Sequence, residues 1–90
     1  MVIDQYLCDM SLSEELYRLG VVKEKRGYIA EELLELMPHN VEIYNRLGKH
    51  TAVVKVDRKT IISYRGFTES KLSNALAKCI LWLKKEGHLK

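Results

Sequence analysis

The stretch from residue 51 onward constrains the fold of this chain more than any other. Residues 51–56 alternate, with Ala52, Val54 and Val56 on one side and Thr51, Val53 and Lys55 on the other. A turn signal follows at 57–59, and residues 60–64 alternate again, Thr60, Ile62 and Tyr64 against Ile61 and Ser63. Residues 68–86 then read as one long amphipathic helix. Leu72, Ala75, Leu76, Cys79, Ile80 and Leu83 form its apolar stripe. Such a β-β-α unit fixes the architecture, because hairpin and helix can hide their apolar sides only against each other. Thr68 is the expected N-cap, Phe67 and Leu72 occupy the positions of a hydrophobic staple, and Gly87 marks the end. Leu81 and Trp82 widen the apolar surface beyond one side, so contact from two directions is expected.

The preceding half supplies two short helices and one more strand. Ser11 and Glu14 fit a capping box at the start of a helix whose stripe is Leu12, Leu16 and Leu19. Glu14 and Arg18 stand four apart in the favourable order for an ion pair. Gly20 suits a left-handed C′ position, with Val21 folding back onto Leu16 in a Schellman ending. Residues 21–27 form a connector with a basic centre. A second helix is expected over 29–37, burying Ile29, Leu33 and Leu36, with Glu31 and Glu32 at its positive end and Pro38 as its stop. Residues 41–44 give a third strand signal, with Val41 and Ile43 on one face, and residues 45–50 around Gly48 are short enough for a hairpin turn. Residues 1–10 fit either a helix or an extended segment.

Ninety residues make one domain, 1–90, with 47% apolar side chains for its core. The expected fold class is α+β: an antiparallel three-stranded sheet packed by about three helices, ending in the long one. A single core of this size is modest, so a dimer would be a natural supplement.

Composition excludes more chemistry than it suggests. Cys8, Cys79, His39, His50 and His88 are scattered without metal-ligand spacing, so no metal site is expected. Cys79 falls on an apolar helix face, where a thiol packs as a small hydrophobe and is poorly placed as a nucleophile. Paired acids at Glu14/Glu15 and Glu31/Glu32 read as solvated helix faces and dipole partners. The glycines punctuate elements and build no phosphate loop. No catalytic residue, cofactor or enzymatic activity is therefore expected. The absence of a leader pattern and of a long apolar run points to a cytoplasmic setting without membrane partners.

Two surfaces remain as candidates for binding. Val53, Ile61, Leu81 and Trp82 lie outside the main apolar faces and form a candidate protein interface, although single exposed apolar side chains are common. Lys71, Lys78 and Lys85 recur every seven residues along the last helix, and with Arg65 they form a candidate nucleic-acid contact. The net charge of +3 is mild for a dedicated nucleic-acid binder, and a lysine stripe opposite an apolar stripe is also what a solvated helix shows.

Three blocks carry a resemblance. They are the run from Leu12 through Glu14, Glu15 and Leu16 to Val21, the helix-to-proline block from Tyr28 to Pro38, and the terminal-helix block from Ser73 to Leu83. Over most of residues 11–90 the chain resembles a group of small uncharacterised phage and prophage proteins of Gram-positive bacteria, the YopT-like and phage ABA-sandwich type. The resemblance implies α-β-α layers, a mobile-element origin and a bacterial cytoplasm, and it implies no activity. The function expected is a non-enzymatic accessory binding module that self-associates, as a possible homodimer, or docks on a host protein. The alternative is a nucleic-acid-associated protein using the basic stripe.

Overall fold

A computed structural model describes residues 7–37, 41–58 and 61–87, with side chains at all of these except 56–58 and 61–64. The elements run α1 (Met10–Arg18), α2 (Ala30–Leu36), β1 (Val41–Arg46), β2 (Lys49–Arg58), β3 (Ile61–Glu69) and α3 (Leu72–Lys85). The sheet is an antiparallel meander in the order β1-β2-β3, and α3 packs on it. The α+β class and the three-strand, three-helix inventory are as expected.

The layering is one-sided. α3 rests one side on β2 and β3 and another on α1 and α2. All three helices therefore gather on a single face of the sheet, whereas an α-β-α sandwich would cover both. The cause lies in α3 itself. Leu76, Ala77, Ile80 and Leu81 join Leu16 and Leu33 in the larger core cluster, while Cys79 and Leu83 meet Val54 of β2 in the smaller one. A helix apolar over so much of its circumference can hold the sheet and the other helices at once.

Several local expectations shift for tertiary reasons. α1 starts at Met10 with Asp9 in the N-cap position, so Ser11 lies inside the helix and no side chain caps it. Asp9 bonds instead to α3: Asn74 Nδ2 donates to its carboxylate at 3.1 Å, and its own N–H donates to Asn74 Oδ1 at 2.7 Å. Glu15, rather than Glu14, pairs with Arg18 at 3.5 Å, and Glu14 reaches Lys25 at 3.9 Å. The Schellman ending forms as its residues specify. Gly20, at φ 79°, donates to Tyr17 O at 3.0 Å, and Val21 donates to Leu16 O at 2.9 Å.

α2 begins after Ile29, whose N–H donates to Glu32 Oε1 at 3.2 Å; Leu33 is its buried residue. Pro38 lies outside the described residues. Thr68 is not a helix cap: β3 continues through Glu69, and the Thr68 hydroxyl shares a 2.8 Å hydrogen bond with that of Thr51 across the ladder. α3 starts four residues later, after Lys71, with no side-chain cap. Phe67 accordingly packs beneath α3 with Val54, Cys79 and Leu83 instead of stapling a helix start.

The β1–β2 connection is tighter than the expected turn. Arg46 pairs with Lys49, leaving only Leu47 and Gly48 between strands. Both have positive φ, 50° and 75°, which is the requirement of a type I′ turn. Glycine accepts that geometry freely, whereas a leucine there costs roughly 1–2 kcal/mol.

Candidate protein interface

The register divides the sheet's side chains. Opposed residues share a face, so Val41 and Ile43 of β1, Ala52 and Val54 of β2, and Phe67 and Glu69 of β3 lie toward the helices. Glu42, Tyr44 and Arg46, then Thr51, Val53 and Lys55, then Gly66 and Thr68 lie on the outer face. No described element covers that outer face. Tyr44 is 54% exposed, and Glu42, Gly66 and Thr68 are exposed as well. Val53 sits at its centre, half-buried, opposite Glu42 on one side and Gly66 on the other. Gly66 has no side chain to lay over it, and a Cβ built there would stand 3.5 Å from Val53 Cγ2.

The four expected interface residues do not share this position. Val53 occupies the open face. Leu81 is 5% exposed and belongs to the larger core cluster, so it is no part of a free surface. Trp82 is half-buried, its ring tilted 55° against Phe67 with centroids 6.5 Å apart, and it seals the edge of the smaller cluster. The Ile61 side chain lies outside the described residues. The extra apolar width of α3 thus serves contacts within the chain.

The lysine stripe is likewise engaged within the chain. Lys71 Nζ stands 3.3 Å from Asp9 Oδ1, Lys78 Nζ 2.6 Å from Glu69 Oε2, and Lys85 Nζ 2.9 Å from Glu15 Oε1. Each lysine therefore ties α3 to a different neighbour: the entry to α1, the end of β3, and α1. The Lys85 ammonium holds the Glu15 carboxyl below its ordinary value of 4.5. Arg65 lies over the Phe67 ring, 5.4 Å from its centroid, and does not join the stripe through any of these pairs. In the connector, Arg26 grips Glu32 through two nitrogens at 2.6 and 3.2 Å and stacks 4.1 Å over Tyr28. That fork keeps the Glu32 carboxyl depressed.

Sequence reasoning passed over the end of the β1–β2 hairpin. Tyr44, Arg46, Leu47, Lys49, Thr51 and Thr68 line an open depression there, and Leu47 at the tip is 92% exposed. Gly48 signalled a turn, but its two-residue form, which puts Leu47 at the apex, depends on the pairing register. Reactive chemistry is sparse. Among the described residues no group of three or more His, Cys, Asp or Glu side chains could hold a metal ion. Both described cysteines are buried and free, and burial pushes the Cys79 thiol up to about 12, far from a nucleophile at neutral pH. No described helix is long and apolar enough to cross a membrane.

Comparison with family models, curated proteins and solved structures gives no match for the chain.

Proposed function

We propose that this protein is a non-enzymatic binding module that engages a protein partner through the outer face of its sheet. The observation that carries the reading is the uncovered face itself, with Val53 half-buried at its centre and Tyr44, Thr51, Lys55 and Thr68 around it. A sheet face with aromatic, apolar and charged side chains side by side matches the mixed character of non-obligate interfaces. The phage or prophage setting, a bacterial cytoplasm and an accessory role rest on the sequence resemblance. The nucleic-acid alternative has less support. A lysine already paired with a carboxylate contributes less net charge to a phosphate chain, and Lys71, Lys78 and Lys85 are all so paired.

A tagged pull-down from a Gram-positive lysate, with and without nuclease, tests the reading when wild type and Val53→Glu are run together. A protein captured by wild type despite nuclease, and lost with a folded Val53→Glu variant, is the expected result. Recovery of nucleic acid, with capture abolished by nuclease, would overturn it in favour of the basic stripe.

A further inference from the structure

β1 has one open edge among the described residues, since it pairs only with β2 in the order β1-β2-β3. The turn determines which backbone groups point to that edge. In a two-residue hairpin the flanking pair, here Arg46 and Lys49, exchanges both backbone hydrogen bonds. Bonded and non-bonded pairs then alternate along the ladder. Glu42, Tyr44 and Arg46 therefore bond toward β2, and Val41, Ile43 and Asn45 turn their N–H and C=O groups outward. Among the described residues neither a proline nor a bulge interrupts this edge, and its register with β2 runs unbroken from Val41 to Arg46.

The side chains carry a second pattern. On the outer face β1 presents Glu42, Tyr44 and Arg46 in turn, an acid and a base symmetric about a tyrosine, all three exposed. Read antiparallel, that series is complementary to itself. The geometry points to β1 as a self-pairing edge: a second copy of this chain adds antiparallel about a two-fold axis through Tyr44, making one six-stranded sheet. The inference names a second copy as one partner of the binding module and rests on that reading.

In this register Ile43 exchanges two backbone hydrogen bonds with the partner's Asn45, and the symmetry repeats them. Tyr44 meets the partner's Tyr44 as a non-bonded pair, with Cα atoms about 4.5 Å apart. Glu42 faces the partner's Arg46 on the same side of the sheet, twice over. Neighbouring registers lose this. A slip of one residue sets the outer face of one copy against the inner face of the other. A slip of two, in either direction, sets Tyr44 opposite one of the charged residues and leaves no glutamate facing an arginine. The chosen register also brings the exposed Leu47 across from the partner's Val41. An isologous contact of this kind closes as a dimer and does not propagate.

Sedimentation of the full chain across a wide concentration range tests the inference, using wild type, Arg46→Glu, and Glu42→Arg combined with Arg46→Glu. The wild type is expected to dimerise reversibly. Arg46→Glu places like charges opposite each other twice and should weaken association about tenfold or more, some 1.4 kcal/mol. The double exchange should restore it, with circular dichroism unchanged throughout. Under oxidising conditions Tyr44→Cys should form a disulfide dimer and Asn45→Cys should not, because only residue 44 faces itself. A wild type that stays monomeric throughout would overturn the inference, as would a dimer indifferent to Arg46→Glu or one the double exchange fails to restore. The broader reading fails separately: a monomer that still captures a protein through Val53 removes the self-pairing edge and leaves the binding face standing.

Discussion

α3 and β1 are the extremes of this molecule. α3 buries most of its length, from Ser73 and Asn74 through Leu76, Cys79 and Ile80 to Leu83, while β1 buries no residue fully and exposes Glu42, Tyr44, Asn45 and Arg46. Both carry apolar and charged side chains. What separates them is position: α3 lies between the sheet and the other helices, and β1 is the margin of the sheet. The helix with the richer set of apparent binding residues, Leu81, Trp82 and three lysines, spends them on holding the chain together. The plainer strand is left with exposed side chains and, among the described residues, an unpaired backbone edge. On the proposed function, stability and binding thus divide between elements, and the division can be attacked from either side.

The largest effect belongs to the core of α3. Leu76 is fully buried where helices and sheet meet, and Leu76→Ala should cost about 3–4 kcal/mol, read by urea unfolding. Tyr44→Ala, measured alongside, should change monomer stability by well under about 1 kcal/mol, as surface replacements usually do. Equal losses would erase the contrast.

Next is the clasp between Asn74 and Asp9. Asn74 is nearly buried and satisfied from both ends of its amide by the same residue. Asn74→Ala removes both bonds and is expected to lower stability by about 1–3 kcal/mol. A neutral outcome would mean that the segment before α1 is not fastened to α3.

Acid should loosen the helices before the sheet. Hydrogen bonds from Arg26, helped by the Ile29 N–H, depress the Glu32 carboxyl against the opposing effect of its burial, and Lys85 does the same for Glu15. A carboxylate depressed in the folded state contributes stability above its ordinary value of 4.5 and loses it as pH falls through the lower folded value. Glu32→Gln should therefore flatten the acid limb of a stability–pH curve below 4.5. An unchanged limb would contradict the Arg26 fork. The smallest effect is expected at the stripe: Lys78→Ala should cost only about 0.5 kcal/mol, because its pair with Glu69 is partly solvated.

Much of the fold was legible because local and tertiary demands agree there. Gly20 and Val21 specify their own Schellman bonds, and the alternation around Val54 fixes which side of β2 is buried. Reading failed where a distant partner outcompeted a local one. Asp9 finds Asn74 sixty-five residues away and takes the helix start from Ser11, and Thr68 finds Thr51 across the ladder and stays in the strand. The candidate site was legible in part. Val53 was visible as the odd apolar residue on a polar face. Nothing local could show that Leu81 joins the larger core cluster or that each lysine of the stripe meets a carboxylate from outside α3. Leu47 escaped notice because its exposure follows from a two-residue turn, and that turn is a consequence of register.

The pair Val53→Glu and Leu81→Glu tests the division most directly, since both residues look alike in sequence and the fold assigns them opposite fates. Thermal unfolding followed by circular dichroism, with partner capture measured on the same samples, should show Leu81→Glu unfolded and Val53→Glu folded but unable to bind. A folded Leu81→Glu that has lost binding, beside a Val53→Glu that unfolds, would contradict the account.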